Sequence, residues 1–189
     1  MRRPLAVLGL ALAFGAVASG CSSSSGEPPP AVAAPPQEAT LDWVERAPAE
    51  GPALVFRTYA FAVTGDGWKA ELAIENTTSV GWELGANPVL VGQSFGIMLF
   101  ATGDLDELER RNAEADLPGL RPARTFDPPL PATLRPGASW RGTVGADGAL
   151  AAGRYVRVVF GPLIAQGDPP DGMRSELIWI TDHAHRLHD

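Results

Sequence analysis

Apolar and polar residues alternate most regularly over residues 54–76, LVFRTYAFAVTGDGWKAELAIEN. In the second half, Trp68, Ala70, Leu72 and Ile74 occupy one phase, and Lys69, Glu71, Ala73 and Glu75 the other. A period of two with one charged face marks a half-buried strand. Val55, Tyr59, Phe61 and Val63 form a similar face in the first half, interrupted by Arg57. Gly65-Asp66-Gly67 lies between the two and predicts a hairpin whose turn uses a glycine at positive φ. Asn76-Thr77-Thr78 closes the second strand and also spells a glycosylation sequon.

Further strands are predicted along the chain. Residues 88–102, PVLVGQSFGIMLFAT, read as a buried strand whose glycines sit where backbones approach closely. Residues 132–144 place Trp140 and Val144 on one side, and 149–163 and 174–182 are strongly apolar. One helix interrupts them over residues 104–116. Asp104 and Glu107 have capping-box spacing, Asp106–Arg110 and Glu107–Arg111 are i,i+4 pairs, and Pro118-Gly119 is the stop. Its apolar positions are mainly Leu105 and Leu108, as in a solvated cap over a sheet edge. The proline-rich stretch 121–131 is irregular or extended. Strands without α/β alternation predict an all-β fold: an antiparallel sandwich of about seven strands with one short helical insertion.

Leu150-x-x-Gly153-x-Tyr155 resembles the tyrosine corner of immunoglobulin-like and fibronectin-like sandwiches. The resemblance implies an immunoglobulin-like β-sandwich in which the Tyr155 hydroxyl ties a corner to backbone. The cysteine pair and core tryptophan of antibody domains are missing, and Trp68 and Trp140 are the candidates to fill the core instead.

The N-terminus adds a location. Arg2 and Arg3 precede an apolar run from Leu5 to Val17, followed by Ala18, Ser19 and Gly20. Residues 1–20 read as a secretory signal peptide, with an apolar run too short for a permanent span. Next comes Cys21, the single cysteine of the chain. Ala18-Ser19-Gly20-Cys21 resembles the lipobox of bacterial lipoproteins, with Ala18 where leucine is commoner. The resemblance implies cleavage before Cys21, acylation of its thiol and anchoring in a lipid bilayer. The protein would then face the extracytoplasmic side of the cell membrane or outer membrane. Two or three acyl chains hold firmly, since each buried methylene contributes about 0.8 kcal/mol. Residues 21–40 are rich in serine and proline and read as a disordered tether, leaving 41–189 as the domain. A lone cysteine excludes an intramolecular disulfide, so that domain depends on its core for stability.

Beyond the signal, thirteen basic side chains face twenty-two acidic ones, a net charge of −9. Such a domain is not expected to bind nucleic acid. Gly92-Gln93-Ser94-Phe95-Gly96 resembles the nucleophile elbow of α/β-hydrolases. That resemblance implies a catalytic Ser94, with Asp168 or Asp182 and His183 completing a triad. Three things oppose it: Gly103 cuts short any following helix, no histidine-glycine oxyanion segment precedes the motif, and the neighbouring segments read as hairpins. The tail TDHAHRLHD holds all three histidines, His183, His185 and His188. On an extended segment His183 and His185 share a side, as metal ligation requires, and Asp182, His188 and Asp189 could add ligands. The other reading of the tail is a frayed, solvated terminus. No cofactor is indicated. The expectation is a non-catalytic, lipid-anchored envelope protein that binds a protein or other ligand or serves as a structural part. A serine hydrolase using Ser94 and a metal-binding protein using the tail histidines are the alternatives.

Overall fold

The strongest alternation becomes the hairpin of β2 (Leu54–Val63) and β3 (Gly67–Asn76), paired antiparallel from Leu54↔Asn76 to Val63↔Trp68. The computed structural model describes residues 32–84 and 95–189. Trp68, Ala70, Leu72 and Ile74 of β3 are buried, as their phase predicts. In β2 the phase changes midway. Leu54, Phe56 and Thr58 face inward, then Phe61 and Val63. The register shifts between Thr58 and Ala60, and this bulge moves the inward set by one residue. Arg57 is therefore an ordinary outward residue, and Val55 and Tyr59 share its side. The hairpin turn also departs from expectation, because neither Gly65 nor Gly67 has positive φ. Thr64 and Asp66 join through their side chains at 2.7 Å, and Thr64 Oγ1 accepts from Gly67 N at 3.0 Å. Gly67 is needed for another reason: a Cβ there would collide with the Ala146 carbonyl.

Among the described residues, twelve strand segments form two antiparallel sheets, and the fold is an all-β sandwich. The first sheet runs β1 (Gln37–Ala47), β2, β3, β9 (Ser139–Asp147), β7 (Thr125–Asp127). The second is built around the long β10 (Tyr155–Gln166). β5 (Gly96–Phe100) pairs with the first half of β10 and β4 (Gly81–Leu84) with the second. β6 (Arg121–Pro122) and β8 (Thr133–Leu134) add to β5 and β4. On the other edge of β10 lie β11 (Glu176–Ile180) and then β12 (His185–Arg186). Val159 pairs with both Gly96 and Ile180, and Leu163 with both Leu84 and Leu177, so each edge of β10 carries one interrupted strand. Counting each interrupted strand once leaves ten lines among the described residues, and setting aside the two- and three-residue edge pieces β6, β7 and β8 leaves the expected seven.

The core lies between the sheets. Phe56, Phe61, Trp68, Leu72 and Trp140 from the first meet Trp82, Ile97, Val158, Phe160 and Leu163 from the second. Helix α1 (Leu105–Ala113) lies over the outer face of the second sheet, where Leu108 packs with Met98, Phe100 and Val159. It covers a sheet face instead of an edge. Its N-cap, Asp104, makes no side-chain cap bond, and the Glu107 side chain is engaged by Arg110 and Arg111 instead of reaching back, so the capping box does not form. Of the predicted i,i+4 pairs, Glu107–Arg111 forms at 2.7 Å, while Arg110 turns to Glu107 and Glu114 instead of Asp106. The tether expected to extend to residue 40 gives way earlier: Ala33 bridges Ala151, and β1 begins at Gln37.

Candidate functional site

Two buried charges fasten the short turn between β11 and β12. Glu45, on the edge strand β1, has its carboxylate almost wholly buried. Oε2 accepts from Trp179 Nε1 at 2.6 Å and from Asp182 N at 3.1 Å. Oε1 accepts from His183 N at 3.1 Å and lies 2.8 Å from His183 Nδ1. Arg157 reaches the same turn from β10. It sits on the outer face of the second sheet and is wholly buried. Nη1 donates to the carbonyls of Thr181 and Asp182, and Nη2 to those of Gly103 and Asp104 at 2.8 and 2.9 Å. One guanidinium thereby joins the tail turn to the start of α1. Thr181 Oγ1 adds a bond to His183 O and accepts from Val158 N. Trp43 stacks on His183 at 5.5 Å, and Trp179 on Phe56 at 5.5 Å.

Burial holds the Arg157 guanidinium below its ordinary value, with Asp182, Glu45 and Asp104 opposing. The Asp182 carboxyl is pushed up, first by partial burial and then by the negative charge of Glu45. Burial also lowers His185, and neighbouring His188 adds to the effect. Glu45 fastens one edge of the first sheet to one edge of the second, and Arg157, through its two Nη atoms, ties the tail turn to the start of α1 within the second sheet.

The groups left open here belong to the backbone of β11. Ser175 O accepts from Ala165 N, and Thr181 N donates to Val158 O. Odd-numbered residues of this segment therefore turn their backbone toward β10, and Glu176, Ile178 and Ile180 turn theirs outward. Among the described residues β11 pairs with β10 alone. Ile178 is 54% exposed in the middle of this edge. A hollow lies on each side of it. One, of about 520 Å³, is lined mainly by Val44, Ala47, Pro48, Met173, Leu177 and Trp179. The other, of about 830 Å³, lies between Asn112 of α1 and residues 174–179. An edge with unpaired backbone and an apolar residue at its centre accepts another strand.

Cys21 and three residues of the serine motif, Gly92, Gln93 and Ser94, lie outside the described residues. The motif runs directly into strand β5, where an elbow requires a helix. A Cβ at Gly96 would collide with the Arg121 carbonyl of β6, so this glycine serves a close backbone approach. Asp168 is in an exposed loop after β10. His183 is bound to Glu45, not to Asp168 or Asp182. The three histidines do not converge as a strand would place them. His183 precedes β12 and turns to Glu45 and Trp43, whereas His185 lies against Phe61 and His188. Among the described residues, no group of three or more His, Cys, Asp or Glu side chains could hold a metal ion. The tail is not frayed: Leu187 is fully buried and bonds to Arg154 and Gly153, and His188 N donates to Gln37.

The tyrosine-corner bond is not formed among the described residues; Tyr155 packs its ring on Gly103 and into the α1 cluster. Asn76 of the sequon is wholly buried, its Nδ2 donating to Val80 and Leu134 carbonyls. The sequence pattern does not single out Glu45 or Arg157. Arg157 does leave a signal, as the single charge inside the apolar run YVRVVF. No helix among the described residues is long and apolar enough to cross a membrane. Comparison with family models, with curated proteins and with solved structures finds no match to this chain.

Proposed function

We propose that this chain is a lipid-anchored module of the bacterial cell envelope that binds another protein chain and performs no catalysis. The observation that carries the binding role is the bare edge of β11, with Ile178 exposed and a hollow on either side. Strand addition to such an edge draws affinity from main-chain hydrogen bonds and specificity from alternate side chains entering the flanking hollows. The anchor rests on the lipobox-like Ala18-Ser19-Gly20-Cys21 and the proline-rich stretch after it. A coil of that length reaches roughly 20–30 Å, enough to hold a small domain clear of headgroups. The strand after Gly96 and the engagement of His183 by Glu45 weigh against the hydrolase alternative.

Metabolic labelling with a palmitate analogue tests the anchor. The chain takes up label, and Cys21→Ser abolishes it; equal labelling of the two would defeat the anchor. A fluorophosphonate probe tests the catalytic alternative. The chain stays unlabelled, and labelling that disappears in Ser94→Ala would replace binding with hydrolysis.

A further inference from the structure

We infer that the partner seated on the β11 edge is a second copy of this chain, paired antiparallel about a two-fold axis at Ile178. The inference rests on the binding role proposed for that edge. Outward backbone groups occur on even-numbered residues, so hydrogen-bonded pairing places even opposite even. Charge then selects the register. Centring the pair on Glu176 sets two carboxylates face to face, and pairing Ile178 with Ile180 of the other copy sets Glu176 against Asp182. Centring on Ile178 sets the exposed isoleucines together and Leu177 opposite Trp179, and it brings Arg174 and Asp182, which flank the strand on either end, toward each other twice by symmetry.

Arg174 and Asp182 are both exposed, and among the described residues neither makes an ion pair within the chain. The Asp182 carboxylate lies near Arg157 and His183 without an ion pair to either, and this register adds a direct cationic partner. The other edge strand on this side, β1, is unsuited to the same use. It is broken by a register shift between Thr40 and Trp43, with Asp42 at φ 51°. A pair of five-residue strands is a small contact, and confinement to one membrane surface raises the effective concentration at which it forms.

Because Cys21 is the single cysteine, the test can be made with one thiol. In the full chain carrying Cys21→Ser, Ile178→Cys places two thiols opposite each other across the axis. A hydrogen-bonded pair has Cα atoms about 5.5 Å apart, within disulfide range. Mild oxidation of the purified protein then gives covalent dimer at least about tenfold faster than the same background carrying Lys69→Cys on the other sheet, since a seated pair needs no chance encounter. Adding Arg174→Asp slows the Ile178→Cys reaction about fivefold, because like charges then face each other. Combining Arg174→Asp with Asp182→Arg restores it. Equal rates at positions 178 and 69, or no response to Arg174→Asp, would overturn the second-copy pairing. The Cys21→Ser background carries no lipid, so this outcome is independent of the palmitate experiment. A failed dimer leaves the anchor standing, and a failed anchor leaves the dimer standing.

Discussion

Asn76 shows how much one polar side chain can hold when nothing near it is wet. Its amide donates to Val80 and Leu134, and its Oδ1 accepts from Thr78 N and Oγ1, while Thr78 accepts from Trp82 Nε1. Asn76→Asp replaces two donors by an acceptor facing two carbonyls. It should cost about 3 kcal/mol of stability by denaturant titration. Glu45 makes the complementary case, four donors converging on one carboxylate. Glu45→Gln leaves one side of the group unable to accept, and should lose about 2 kcal/mol. An unchanged midpoint in either variant would contradict these assignments. Neither residue is legible in the sequence as a fastener. Asn76 reads as the end of a strand, with its burial decided by the distant Leu134, and Glu45 lies in a segment with no clear alternation, its partners all more than 130 residues away.

At the scale of elements, local pattern is legible and interruption is not. The β2–β3 alternation, the buried phase of β3 and the helix near Leu105 follow from periodicity alone. The bulge between Thr58 and Ala60, the splitting of the strands beside β10 and the ordered tail do not, because long-range pairing decides them. β1 escapes the pattern because its inward positions, Gln37, Ala39, Leu41, Trp43, Glu45 and Ala47, mix polar with apolar residues. Arg157 connects these elements, as it bonds the turn after β11 and the start of α1 together. A lysine is a point charge and cannot reproduce that planar fork. Arg157→Lys should cost about 3 kcal/mol, with amide exchange accelerated at residues 181–187 and 103–108 together. Acceleration in one segment alone would show that the two are not coupled through this side chain.

For the whole molecule, the sandwich holds together without a disulfide, and its acid response has a definite sign. The folded state lowers His185 from its ordinary 6.5, through burial and His188. Its contribution to stability is therefore complete above about 6.5 and is lost as pH falls toward the lowered value. Asp182 acts in the opposite sense. Its raised value favours the folded state below the ordinary 3.8 and ceases to do so as pH rises through the folded value. Denaturant midpoints should fall between pH 7 and 5.5, and His185→Gln should flatten that slope; an unaltered slope would remove His185 from the account. The two-sheet architecture is readable from the sequence. The use proposed for it draws on the N-terminal sequence and on the β11 edge, which becomes visible only once pairing leaves it bare. A binding module held at a membrane by Cys21 is checked by the intact mass of the protein recovered from membranes. That protein is expected to begin at Cys21 and to be heavier than its polypeptide by two or three acyl groups and the glycerol that links them. A chain cut elsewhere, or one retaining a free Cys21 thiol, would contradict the anchor.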